Sequence, residues 1–392
     1  MPFPWFKSLV AMRPTSLLVI SVGVSLLLPL PGQLGLGWPS ADGPTPVVAT
    51  GPVQVGTSFS PHHATYLGLD WQQSYKKLEA LHFKVIRLSA YWDQVDGEGY
   101  GQLDWLLNES VASGQPVVLS VGMKGEGWPE FYVPEEFTPA TADGGDVGTD
   151  PNLRAGVLDF LQATVARYRA NTAVVAWQVE NEPLNPAGPH RWYIGKDLLA
   201  REVAAVKDAD ATRPLIVSAF GHFNMLFDTA SNRSGFNLGS LLGFESSTAE
   251  SQSLGLLGHK DILGLDIYTE IGYGFLGQTG VSHAGSDWAT KAGHWRGVAS
   301  SEGKRAWITE AQAEPWESAI SSYGDPKSTL ASDIDTRFDS IRSQGFGTIL
   351  LWGSEYWLWR ADNGDPSWLD AVKGILAENT EAPPVATTLS AP

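Results

Sequence analysis

Two glutamates close short apolar runs in this chain. Glu182 lies near the end of the stretch Trp177-Gln178-Val179-Glu180-Asn181-Glu182-Pro183, and Glu310 ends Trp307-Ile308-Thr309-Glu310, 128 residues further on. Two carboxyl groups held across one pocket can cleave an acetal. One stays protonated and donates to the leaving oxygen, while the other stays ionised and attacks or stabilises the anomeric carbon. Environment separates them: burial and nearby negative charge raise one pKa, and a cation with hydrogen bonds lowers the other. Direct attack requires the two carboxyls to lie roughly 5–5.5 Å apart. Either glutamate alone could equally be a helix N-terminal charge, so the pair carries the reading. Glu180 is expected to face away from the pocket, toward a helix layer. Glu314 and Glu355 lie near the same chain ends without closing a run.

The elements that must position such a pair alternate along the chain. Short β-rich runs at 53–59, 84–88, 116–121, 174–179, 214–218, 263–267, 306–309 and 348–352 are the expected strands. Helical patterns at 69–81, 103–113, 152–169, 193–206, 287–300, 329–343 and 367–378 follow all but the fifth, where a Gly-rich stretch leaves the helix poorly defined. Strands that are apolar throughout belong to parallel sheets covered on both faces. Eight strand–helix units fit a (β/α)8 barrel, in which chemistry sits at the carboxyl ends of the strands. No Gly-x-Gly-x-x-Gly or phosphate loop follows a strand, which argues against nucleotide-binding versions.

The strand-end residues resemble glycoside hydrolase clan A, the retaining (β/α)8 glycosidases that include family-5 cellulases and mannanases. The resemblance spans residues 54–376 through motifs, not continuous identity. It rests on Asn181-Glu182-Pro183 after strand four, Glu310 after strand seven, Arg87 in Val85-Ile86-Arg87-Leu88, Tyr268 after strand six and Trp352 closing strand eight. The resemblance implies Glu182 as acid/base and Glu310 as nucleophile. It further implies that Asn181 binds a sugar 2-hydroxyl, Arg87 and Tyr268 hold the nucleophile, and Trp352 floors the sugar site. Strand three leads to Gly122-Met123-Lys124-Gly125-Glu126-Gly127-Trp128 without the histidine expected of many cellulases, and strand five leads to His222. His222 is expected to contact substrate, as His62 and His63 could. No His-x-His or His-Glu-x-x-His spacing suggests a metal site, and no Gly-x-Ser-x-Gly a serine hydrolase.

Composition narrows the partners. The chain has 392 residues, 43 acidic against 26 basic side chains, no cysteine and 16 tryptophans. Its net charge of −17 disfavours nucleic acid and anionic membrane surfaces. Without cysteine, disulfides, thiolate nucleophiles and iron–sulfur clusters are excluded. Trp177 and Trp307 lie inside strands and are expected to pack the core. Trp92, Trp128, Trp316, Trp352, Trp357 and Trp359 fall at or beyond strand ends, where indoles could line a sugar cleft or pack loops onto the barrel.

Lys7 and Arg13 precede an apolar run at 16–30, the pattern of an export signal. Residues 1–31 are read as a signal peptide or membrane anchor, 32–51 as a linker, 52–378 as the barrel and 379–392 as a flexible tail. The sequence thus predicts an exported retaining β-glycosidase of oligo- or polysaccharides, endo-acting, with no metal or organic cofactor. An exo-glycosidase or transglycosylase of the same clan, or a membrane-tethered glycan-binding barrel without catalysis, are the alternatives.

Overall fold

In the computed structural model, which describes residues 51–223, 248–275, 278–317, 323–383 and 385, eight parallel strands close on themselves. In chain order the strands are β1 (Gln54–Ser58), β2 (Val85–Tyr91), β3 (Val117–Gly122), β4 (Val174–Val179), β5 (Leu215–Gly221), β6 (Ile262–Ile267), β7 (Glu270–Phe275), β8 (Gln278–His283), β9 (Arg305–Gln312) and β10 (Thr348–Trp352). The barrel runs β1-β10-β9-β6-β5-β4-β3-β2, and β7 and β8 form a separate antiparallel hairpin. This is the expected (β/α)8 architecture.

Alternation along each strand decides what faces the axis. The lower interior is a small apolar layer of Val85, Val118, Ala176, Ile216, Ile262, Trp307 and Leu350, closed by Val385. Two residues further along five of these strands stand Arg87, Ser120, Gln178, Ser218 and Thr309, all buried and all polar. The interior therefore turns from apolar floor to polar site within one step of the pleat. Gly264 makes this change sterically possible, because a Cβ there would lie 2.6 Å from Thr309 Oγ1 and 3.0 Å from the Ser218 Cβ. The opposite faces of the strands pack against the helices in one large core containing Leu88, Leu119, Trp177, Leu265 and Ile349. Of these helices Pro151–Tyr168 is the longest, started by Asp150, whose side chain accepts from Asn152 N and Leu153 N, as the preferred N-cap chemistry requires.

Several elements differ from expectation. Among the described residues, the helix after β5 is the six-residue Ala249–Leu254; the segment 224–247 before it lies outside the described residues. The glycine-rich β7–β8 hairpin was not expected, since Gly272, Gly274, Gly277 and Gly280 weaken any strand pattern. Short helices Pro61–Tyr66 and Ser354–Asp362 follow β1 and β10 directly. The start of the expected tail is packed instead. Asn379 accepts from Val53 N at 2.8 Å, Gln54 donates to Pro383 O at 3.0 Å, and Ala382 and Val385 are buried. Residues 1–31, the expected signal or anchor, lie outside the described residues. Among the described residues, no helix is long and apolar enough to cross a membrane.

Candidate active site

Arg87 is the centre of the polar layer. It has no exposed surface, and its guanidinium reaches residues of β1, β4 and β9 and of the loops after β3 and β4. Nε donates to Ser58 Oγ at 2.9 Å, Nη1 approaches Gln178 Oε1 at 3.3 Å and Asn181 Oδ1 at 3.4 Å, and Nη2 meets Glu310 Oε1 at 2.5 Å. Its second ion pair is with Glu126 at 3.1 Å. The other oxygen of Glu310 accepts from the Tyr268 hydroxyl. Glu310 is therefore fixed at both oxygens, by a cation on one side and a phenol on the other.

Glu182 is held differently. Its backbone is in the left-handed region, at φ 45°, a costly conformation that is maintained by surrounding contacts and clusters at functional sites. Its N–H donates to Ser218 Oγ at 2.9 Å, and its Oε2 accepts from Asn185 Nδ2 at 2.9 Å. Lys124, wholly buried, donates to the Glu182 carbonyl at 2.8 Å and brings its ammonium within 4.0 Å of Oε2. Burial pushes the Glu182 carboxyl well above the usual range. Lys124 opposes that shift, and Asp266 and Glu310 reinforce it. One oxygen from each of Glu182, Asp266 and Glu310 lies within 4.8 Å of the others. This trio is the one cluster with metal-ligand spacing among the described residues, and Arg87 already pairs with Glu310 inside it.

Asn181 shows which way its amide points. Gln178 Nε2, Ser218 Oγ and Arg87 Nη1 all converge on its Oδ1 at 3.2–3.4 Å. Its Nδ2 is left to the pocket, which Asn181 lines. The pocket has a volume of about 240 Å³ and is walled by Trp128, Tyr132, Tyr268, Trp316, Tyr323 and Trp352 around Glu182 and Glu310. Trp352 is locked by a hydrogen bond from its Nε1 to Glu314 Oε1 at 2.9 Å, and Glu314 Oε2 accepts from Tyr323.

The structure thus brings Glu182, Glu310, Asn181, Tyr268, Trp352 and Trp128 to one pocket, with Arg87 directly behind Glu310. Two expected substrate residues are elsewhere. Trp357 has no exposed surface and donates to Ala313 O at 2.7 Å. It sits in helix Ser354–Asp362, whose packed face points it into the core. His222 is buried between Tyr268 O, at 2.6 Å, and Ser282 Oγ, at 2.9 Å. It ties the end of β5 to β6 and to the hairpin and does not line the pocket. Trp92 likewise stacks on Phe137 and Phe160 in the core, and Trp359 packs on Tyr323 and Tyr356. Glu180, as expected, turns away from the pocket and accepts from Met123 N and Lys124 N. His62, His63, Glu314 and Trp316 do line the pocket, whereas Glu355 stands behind it, 3.7 Å from His63.

Lys124, Glu126, Glu130 and Asp266 were not singled out from sequence. A signal existed for each: charged residues directly after the third strand, and one aspartate in the apolar run Leu263-Gly264-Leu265-Asp266-Ile267.

No family model matches this chain, and no curated protein matches it. Solved structures do. GH5_18 from Streptomyces cattleya in complex with GlcNAc aligns with a TM-score of 0.55 at 15% identity, over 85% of this chain and 82% of that one. The β-galactosidase from Rahnella sp. R3 gives 0.55 at 12% identity, over 88% and 58%. The exo-β-1,4-mannosidase Op5Man5 from Opitutaceae bacterium strain TAV5 gives 0.52 at 13%, over 84% and 60%. The chain spans about three-fifths of the length of the last two. What they share with it is the fold.

Proposed function

We propose that the chain is a retaining β-glycosidase in which Glu182 is the acid/base and Glu310 the nucleophile. The observation that carries this reading is the approach of Glu182 and Glu310 oxygens to within 4.8 Å. A retaining pair works at roughly 5–5.5 Å, whereas an inverting pair needs roughly 6.5–9.5 Å to admit a water. In the first step the raised Glu182 donates its proton to the glycosidic oxygen while a Glu310 oxygen attacks the anomeric carbon and the leaving group departs as an alcohol. Arg87 and Tyr268 aim that carboxylate, and the Asn181 Nδ2 is placed to donate to the sugar 2-hydroxyl. In the second step Glu182, now ionised, takes a proton from water, which displaces Glu310 from the anomeric carbon and restores both groups.

The substrate class in this proposal is an uncharged oligo- or polysaccharide. Indole and phenol faces around the pocket match the C–H faces of pyranoses, and the solved structures of similar fold include a β-galactosidase and an exo-β-1,4-mannosidase. Internal cleavage is the finer part of the proposal. Trp128 follows β3 and Trp316 follows β9, strands on opposite sides of the barrel order, so sugar platforms flank the carboxyl pair on both sides. Residues 1–31 are read as directing the chain out of the cytoplasm, supported by Lys7 and Arg13 before the apolar run. Cell fractionation of the full chain tests that part, and a cytosolic product with an intact N-terminus would contradict it.

The deciding experiment screens aryl glycosides together with β-glucans, mannans, xylans and galactans. The active substrate is then remade as a 2-fluoro glycoside. Mass spectrometry should locate the trapped sugar on Glu310. Turnover that survives Glu310→Ala, or a first-formed product of inverted configuration, would overturn the assignment.

A further inference from the structure

Asp266 is a third carboxyl in this site, and the mechanism above gives it no task. It stands on β6 directly across the ladder from Glu310 on β9, just after the shift in register between Leu265 and Asp266. It has no exposed surface. Thr309 Oγ1 donates to its Oδ1 at 2.5 Å, while its Oδ2 is buried without a hydrogen-bond partner among the described residues. The groups facing it are Arg87 from β2, Glu182 after β4, Ser218 from β5, and Thr309 and Glu310 from β9. Arg87 is the single cation in that list, and it is already shared between Glu310 and Glu126.

Charge bookkeeping over the proposed reaction defines what Asp266 must be. Before attack, Glu182 is protonated and Glu310 carries one negative charge. In the covalent intermediate, Glu310 is an uncharged ester and Glu182 carries the charge. One negative charge thus moves between two positions, one beside Arg87 and the other beside Lys124. An ionised Asp266 would add a second, unmatched charge in both states, on a side chain with no exposed surface of its own.

We infer that Asp266 is a positioning residue that stays a neutral carboxylic acid throughout turnover, holding a proton that is never transferred, so that the trio with Glu182 and Glu310 carries only one negative charge. The inference rests on the glycosidase reading for its purpose but not for its measurement. Burial, with Glu310 next, pushes the Asp266 carboxyl up to about 8, in line with like charges sharing a site.

The test is infrared difference spectroscopy of the full chain with carboxyl-labelled aspartate, titrated from acid to alkaline pH. A protonated-acid carbonyl band should persist at neutral pH, vanish above about pH 8 and be absent from Asp266→Asn. Should Asp266→Asn not fold, Thr309→Val serves instead, because removing the donor to Oδ1 must shift the same band. A wild-type spectrum without a protonated aspartate at neutral pH overturns the inference, as does a band unmoved by either variant. The band is read without substrate, so a chain that shows it but cleaves no glycoside refutes the glycosidase reading alone. Where turnover is found, Asp266→Ala should lose kcat at every pH, and Asp266→Asn, the isostere of the neutral acid, should recover most of that loss; a rate that Asp266→Asn recovers no better than Asp266→Ala would overturn the inference.

Discussion

The buried ammonium of Lys124 lies 4.0 Å from Glu182 Oε2 and donates to the carbonyl of the same residue at 2.8 Å. One side chain therefore fixes both the backbone and the charge environment of the proposed acid/base. It sits on the loop after β3, and Glu180 holds that loop in turn by accepting from Met123 N and Lys124 N.

Replacing Lys124 by Met should move the alkaline limb of kcat/KM to higher pH. Lys124 is the group that pulls the Glu182 carboxyl down against burial. Without it the acid form of Glu182 survives further into the alkaline range. The variant also leaves Glu130, 3.3 Å from the ammonium, without its cation, so the melting temperature should fall. A pH–rate profile that does not shift would show that Lys124 acts on the backbone alone.

Glu182→Ala should cost about 10²–10⁴ in kcat for a glycoside with a poor leaving group. The loss should be much smaller for an activated aryl glycoside, whose departure needs no proton. Azide should then restore turnover and yield a glycosyl azide of retained configuration. Equal losses for both leaving groups would rule out the acid role.

The tryptophans should separate into two kinds. Trp316 lines the pocket, so Trp316→Ala should raise KM about tenfold, or about 1.4 kcal/mol, and leave thermal stability nearly unchanged. Trp357 is wholly buried, so Trp357→Ala should destabilise by about 3–5 kcal/mol. Thermal melts beside Michaelis kinetics check both.

Sugars bearing carboxylate or sulfate should be poor substrates. Among the described residues, those lining the pocket include five glutamates, Glu130, Glu182, Glu310, Glu314 and Glu317, and no lysine or arginine. A glucuronide should therefore show kcat/KM at least about tenfold below the matching glucoside. The reverse order would refute this.

Behind the site, Glu180 and Glu202 are a buried carboxyl pair. Burial pushes Glu180 up to about 7, and burial together with Glu180 pushes Glu202 well above the usual range. Acids raised in the folded state bind more protons than in the unfolded chain. Their contribution to stability is intact below the unfolded carboxyl range and is lost as pH rises through the folded values. Melting temperature should thus fall as pH rises from about 5 to 7. Glu202→Gln should flatten that fall, and a decline of the same slope in the variant would place its origin elsewhere.

The sequence by itself determined the barrel and most of the pocket. Eight apolar runs each followed by a turn or helix leave a parallel closed sheet as the economical solution, and strand ends then mark where Glu182, Asn181, Tyr268, Glu310 and Trp352 must meet. Local pattern carried this because strand position and side-chain direction are both set by alternation along the chain. Tertiary structure alone decided which loop residues face the pocket. Trp352 and Trp357 are five residues apart, yet one walls the site and the other fills the core, because Trp352 ends β10 at the pocket while Trp357 lies on the buried face of helix Ser354–Asp362. His222 was drawn away by two partners distant in sequence, Tyr268 and Ser282. Asp266, one charge in an apolar strand, gained its meaning only when closure of the barrel set it beside Glu310, with a single guanidinium to serve them both.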